Sequence, residues 1–199
     1  MKYSHSKFLV AFILLFVSYT NFSQETDTEE NFIRTNSIKS FDFRSKDLVG
    51  STYINSEFLQ AKIKGDDKIY SLRFNAYFDE MEVLKNNEEF SLQKTFNSPI
   101  TFLNSNKIYQ IFEYYLNGKE TKGYFVVLTK GEKVNLLLQE KIKYVEEVEP
   151  KTGYDKYKPP SLVRSKDKLF IAYKNNTTKE LPKKKKDFLS LFSSKSKDV

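Results

Sequence analysis

The sequence predicts an all-β fold: an antiparallel meander of about eight strands, as an open curved sheet or small barrel, with a C-terminal helical segment. Three observations predict it. From Ile38 onward, aromatic and β-branched residues alternate with polar ones at period two. Turn signals recur at short intervals, at Gly65-Asp66-Asp67, Asn86-Asn87, Asn104-Ser105-Asn106, Asn117-Gly118 and Gly131-Glu132. No helical period interrupts the run from Thr52 to Val148.

The chain opens on a leader. Lys2 and Lys7 flank a short basic start, and Phe8 to Val17 runs uninterrupted apolar into Ser18 and Thr20. A membrane span needs about 20 apolar residues, roughly twice this run. Residues 1–23 therefore read as a secretory signal peptide, with an uncleaved anchor as the alternative. Cleavage after Thr20 fits a small-residue rule, and cleavage after Ser23 exposes Gln24. Residues 24–48 begin polar and acid-rich, with Glu25, Asp27, Glu29 and Glu30, and read as a flexible lead-in.

Residues 49–149 are the expected β domain. A strand around Gln60 to Lys64 turns through Gly65 into the clearest strand, Tyr70 to Phe78. There Tyr70, Leu72, Phe74, Ala76 and Phe78 share one face, and Ser71, Arg73, Asn75 and Tyr77 the other. Met81 to Lys85 and Glu89 to Gln93 flank Asn86-Asn87, and Pro99 opens Ile100 to Leu103. Lys107 to Leu116 and Glu120 to Thr129 flank Asn117-Gly118, which supplies the two positive-φ residues of a type I′ hairpin. Val134 to Tyr144 follows as one strand. Tyr124 to Leu128 and Asn135 to Leu138 are apolar on both faces, which places their strands centrally.

Residues 150–199 change character. Gly153, Pro159 and Pro160 interleave with Tyr154 and Tyr157 in an extended arm, Leu169 to Tyr173 is one more strand, and a helix starts near Leu181 with Pro182 in its first turn. Phe188, Leu189, Leu191 and Phe192 give that helix an apolar side. Charge divides at the same place. The whole chain is +7, or +5 without Lys2 and Lys7; residues 151–199 hold 14 Lys+Arg against 5 Asp+Glu, which is +9, so residues 24–150 are 5 − 9 = −4. An acidic body carries a basic tail.

What is missing bounds the chemistry. There is no cysteine or tryptophan, and the sole histidine, His5, lies in the leader. That excludes Ser-His-Asp and Cys-His nucleophiles, His- or Cys-ligated zinc and imidazole acid–base chemistry for the chain beyond the leader. Six scattered glycines form neither a Walker motif nor a dinucleotide fingerprint. No cofactor is expected. Carboxylates survive: Asp79, Glu80 and Glu82 follow the clearest strand, which carries Arg73 and Asn75 on its polar face. A two-carboxylate hydrolase is one use of such a cluster. A structural use is pairing of Arg73 and Asn75 with Asp79 and Glu80 across a hairpin, and this is the preferred one. Asp66, Asp67 and Asp79 lack the spacing of a calcium loop.

The blocks Gly50-Ser-Thr-Tyr-Ile-Asn-Ser-Glu-Phe58, Leu72-Arg-Phe-Asn-Ala-Tyr-Phe-Asp-Glu-Met-Glu82, Tyr124-Phe-Val-Val-Leu128 and Lys184-Lys-Lys-Asp-Phe-Leu-Ser-Leu-Phe192 resemble those of a group of uncharacterised, exported β-rich proteins common in Bacteroidota-type bacteria. The resemblance covers most of the chain beyond the leader and is most specific around Arg73, Asn75, Asp79 and Glu80. It implies export and a β-rich fold, and no activity.

The expected function is that of an exported cell-envelope protein, periplasmic, outer-membrane-associated or extracellular, acting as a non-catalytic binding or structural module. The alternatives are a β-barrel carrier of a small hydrophobic ligand, for which the aromatics would line a cavity, and a carboxylate-only hydrolase. Lys183, Lys184, Lys185 and Lys186 are candidates for binding an anionic envelope surface. Export argues against nucleic acid as their partner.

Overall fold

The computed structural model describes residues 33, 47–131, 134–173 and 178–193. The expected signal peptide and most of the lead-in lie outside them.

The large sheet is built from two runs of four strands. In the first, β2 (Leu59–Ile63), β3 (Ile69–Asn75), β4 (Glu80–Lys85) and β5 (Glu88–Ser91) follow one another by hairpins. The second comprises β6 (Ile100–Phe102), β7 (Ile108–Leu116), β8 (Lys119–Lys130) and β9 (Val134–Gln139). A single meander would pair β6 with β5. Instead β6 pairs antiparallel with β2, through Ala61 opposite Phe102 and Ile63 opposite Ile100. These apolar cross-strand pairs stabilise the return, and Leu92 and Phe96 of the connecting segment pack on the core as it crosses.

Two further strands extend the sheet beside β9. They are β12 (Lys168–Tyr173) and β13 (Thr178–Glu180), and the order becomes β13-β12-β9-β8-β7-β6-β2-β3-β4-β5. A small second sheet has β11 (Ser161–Arg164) at its centre, parallel to β1 (Val49–Gly50) and antiparallel to β10 (Ile142–Val145). The strand expected over Val134 to Tyr144 is thus two strands, broken at Glu140-Lys141. Ser165 N–H donates to the Lys141 carbonyl at 2.8 Å across the break. A long antiparallel ribbon, β9–β10 against β11–β12, bends there from one sheet into the other.

Among the described residues thirteen strands form, against about eight expected from Thr52 to Val148 and one more after Pro150. The difference lies in that break, in two-residue β1, and in three strands after Pro150 where one was expected. The clearest strand is shorter than its alternation, because Asn75 Oδ1 accepts the Phe78 N–H at 3.2 Å and turns the chain. The helix, α1 (Lys185–Ser193), starts after Pro182 rather than around it.

The large sheet is antiparallel throughout and does not close into a barrel; it curls in opposite senses at its two ends. One concave face holds Leu72, Phe74, Met81, Tyr109, Ile111, Tyr124 and Val126. Phe74 of β3 lies 4.9 Å, centroid to centroid, from Tyr109 of β7, although β2 and β6 separate their strands. The other face holds Phe112, Tyr114, Phe125, Leu137, Phe170 and Ala172, with the Phe125 and Phe170 rings edge to face at 5.0 Å. Here β13 swings back over β7, and Thr178 Oγ1 donates to the Glu113 carbonyl at 2.7 Å. Successive residues of β7 and β8 therefore enter different cores, which is why Tyr124 to Leu128 is apolar at both parities.

Candidate functional site

The residues singled out on the clearest strand come together around a buried carboxylate. In the β3–β4 hairpin, Arg73 stands opposite Glu82 and Asn75 opposite Glu80. Glu82 is completely buried. Its Oε2 receives Arg73 Nε at 2.8 Å, and its Oε1 receives Asn75 Nδ2 at 2.9 Å and the Tyr53 hydroxyl at 3.4 Å. A buried charge needs this kind of saturation. Burial pushes the Tyr53 phenol above its ordinary pKa, and the Glu82 charge adds to the rise.

Arg73 is held from every side. Its guanidinium lies between the rings of Tyr53 and Phe58, 3.9 and 4.2 Å from their centroids. Its Nη2 donates to Glu89 Oε2 and to the Tyr53 oxygen, each at 2.7 Å. The segment that supplies Tyr53 and Phe58 is pinned to the β3–β4 turn, where the Thr52 carbonyl accepts Ala76 N–H at 2.9 Å and Tyr77 N–H at 3.2 Å. The blocks at residues 50–58 and 72–82 are thus two halves of one assembly.

Asp79 faces elsewhere. It sits in the left-handed region at φ 57°, and its carboxylate takes Lys94 Nζ at 2.6 Å and the Tyr124 backbone N–H at 3.0 Å. It joins the hairpin turn, the returning segment and β8. Burial pushes its carboxyl above the ordinary range, against the opposing pull of Lys94 and the Tyr124 amide. Glu80 accepts the Ser91 hydroxyl at 2.9 Å. The cross-hairpin pairing expected for Arg73 and Asn75 therefore exists with Glu82, and not with Asp79 or Glu80. The positive φ of Asp79 takes it off the strand, and Glu80 reaches β5. Asp66, Asp67 and Asp79 do not come together as a metal site, nor does any other group of three acids among the described residues.

Beside Arg73 lies an open cleft of about 220 Å³, floored by Leu59, Phe74, Phe102 and Tyr109 and edged by Asn55 and Lys107. Sequence reasoning missed the cluster at its far end. Glu140, 5 % exposed, receives Lys107 Nζ and the Tyr109 hydroxyl at 2.6 Å each and Arg164 Nη2 at 2.9 Å. It fixes the bend of the long ribbon. Burial, then the adjacent Glu140 charge, raises the Tyr109 pKa. Gln139-Glu140-Lys141 breaking an apolar alternation was the available signal.

The four candidate lysines lie far from this network in the chain. Lys183 and Lys184 precede α1, Lys185 and Lys186 open it, and all four are exposed.

Compared with protein-family models, with curated proteins and with solved structures, the chain matches none of them.

Proposed function

We propose that the protein is an exported module of the cell envelope that binds or supports rather than catalyses. The observation that carries this is the commitment of the motif acids to their own chain. Glu82 is buried under three donors, Asp79 is held by Lys94 and the Tyr124 amide, and Glu80 by Ser91. A hydrolytic pair needs one carboxyl poised to give a proton and a second facing substrate. In this arrangement the same residues lock a hairpin to the segment that covers it. Export itself rests on the leader sequence.

The carrier alternative has less to draw on. The sheet is open, both concave faces are filled by side chains, and the cleft of about 220 Å³ falls below the roughly 300–1,000 Å³ of small-molecule pockets.

Two measurements test the proposal. Intact mass of the protein from the envelope of its native host is expected to lack about the first 20 to 23 residues; a full-length, membrane-retained form would overturn export. A panel of chromogenic glycosides and esters is expected to give no turnover. Turnover lost in Glu80→Gln at unchanged thermal stability would establish a hydrolase instead.

A further inference from the structure

The cleft beside Arg73 has a fixed floor and two fixed walls. Phe74, Phe102 and Tyr109 are core residues that also line it, and the Tyr109 ring is held by Phe74 at 4.9 Å and by Phe102 at 5.7 Å. One wall is the segment from Ile54 to Glu57. There Asn55 Oδ1 accepts the Glu57 N–H at 3.0 Å, and the Ser56 carbonyl accepts Arg73 Nη1 at 3.4 Å. The other wall is the β6–β7 turn with Asn104 and Ser105. The Phe102 N–H closes that turn on the Lys107 carbonyl at 2.9 Å, and the Leu103 N–H ties it to the Gln60 carbonyl of β2 at 2.9 Å. A site built in advance loses little to ordering when a ligand enters.

The cations and the neutral groups of the rim differ in what they have free. Arg73 is committed to Glu82 and Glu89, and Lys107 to Glu140. By contrast, the Asn104 amide, the Ser105 hydroxyl and the Glu57 carboxylate have no hydrogen-bond or ion-pair partner among the described residues. Asn55 uses its oxygen on Glu57 and keeps its Nδ2 donors. An apolar floor with a few convergent polar groups is the make-up of a small-molecule site. At about 220 Å³, and open, this one fits a single ring rather than a carrier's whole cargo.

We infer that the cleft binds one uncharged pyranose unit of a glycan, its C–H face on the floor and its hydroxyls on Asn55, Glu57, Asn104 and Ser105. This deepens, and rests on, the reading of the protein as a non-catalytic binding module. The chemistry of the rim selects the ligand. Amides both donate and accept, and a carboxylate accepts two hydroxyls at once. A phenyl ring or an aliphatic chain would use the floor and leave those groups unmatched. An acidic sugar would meet the Glu57 carboxylate with both rim cations already paired. The open mouth leaves room for the units on either side of the bound ring.

Saturation-transfer NMR tests this on the protein and its variants purified from the native host. The probes are the methyl glycosides of glucose, mannose and N-acetylglucosamine, with maltotetraose, mannotetraose and chitotetraose. Methyl glucuronide and phenol serve as the acidic and apolar counterparts. At least one neutral glycoside is expected to bind at millimolar concentration, and its tetrasaccharide at least as well, while methyl glucuronide does not. Losing a neutral hydrogen bond weakens binding about fivefold. Asn104→Ala with Ser105→Ala, both exposed, is therefore expected to weaken binding about 25-fold at unchanged melting temperature. Glu57→Gln is expected to weaken the neutral glycoside several-fold and to admit the glucuronide.

Binding by none of the neutral glycosides, or by phenol alone, would overturn the inference. So would parent-like affinity in the double-alanine variant, which would place the sugar elsewhere. A methyl glycoside that binds while its tetrasaccharide is excluded would overturn the glycan assignment in favour of a free sugar. The reading beneath fails separately. Cleavage of a bound glycoside would overturn the non-catalytic module and leave the sugar site standing, whereas absent binding leaves that module untouched.

Discussion

The Asp79 carboxylate lies against Gly123 in mid-strand: a Cβ on Gly123 would fall 3.0 Å from Asp79 Oδ2 and 2.8 Å from the Tyr114 ring. A glycine inside a strand weakens it, unless another group must approach the backbone closely. Here the approaching group is the carboxylate that caps the Tyr124 N–H.

Gly123→Ala is accordingly expected to destabilise the fold by about 1–3 kcal/mol, the range for forcing an extra methyl into packed surroundings. Urea unfolding checks it. A midpoint unchanged from the parent would mean that the hairpin turn shifts freely away from β8.

Glu82 and Arg73 invite a double-mutant cycle. Glu82→Ala alone leaves a guanidinium, 12 % exposed, without its main partner, and is expected to cost about 3–5 kcal/mol. Arg73→Leu with Glu82→Leu removes both charges and is expected to recover a large part of that loss. Non-recovery would indicate that Tyr53 and Asn75 depend on the carboxylate itself.

Asp66 gives the pH dependence. The Tyr70 hydroxyl at 2.6 Å, with the Lys68 N–H at 2.9 Å, holds its carboxyl below the ordinary range. The folded pKa is thus lower than the unfolded one. The contribution to stability is present above the unfolded value of about 3.9 and is lost as pH falls through the depressed folded value. Tyr70→Phe is expected to move the Asp66 titration upward, as followed by carboxyl carbon NMR.

The hairpin at Asn117-Gly118 is the simplest test of the strand register. Leu116 stands opposite Lys119, with φ 52° at Asn117 and 77° at Gly118. Gly118→Val forces a β-branched residue into that region and is expected to cost more than the ~0.5 kcal/mol typical of surface changes. Space is not the cause, since nothing lies within 4 Å of a Cβ there.

Local demands were legible in the sequence and distant ones were not. Asn117-Gly118 announces its turn because positive φ is a property of two residues, and Asn86-Asn87, at φ 53° and 64°, does the same between β4 and β5. The pairing of β6 with β2 instead of β5 depends on which apolar faces meet after a crossing, and no local pattern encodes that. Arg73 and Asn75 were recognisable as members of a polar network. Their partner was misassigned because alternation marks the Glu82 face as polar, whereas residues 51–58 fold over it and bury it. Glu140 escaped notice for the same reason, its donors arriving from β7 and β11.

The double curl of the large sheet also dictates when folding can finish. One core draws residues from Ala61 to Leu162, and the other from Phe112 to Ala172. Neither can close until most of the chain is present, and both share the β7–β8 hairpin as their central wall. The pairings of β6 with β2, of β12 with β9 and of β11 with β10 reward loop closures between distant segments, the regime in which folding is slow. A chain emerging from its N-terminus stays without a complete core until β11 and β12 appear. Through that interval its aromatic strands lie exposed to one another, the condition in which partly folded chains associate.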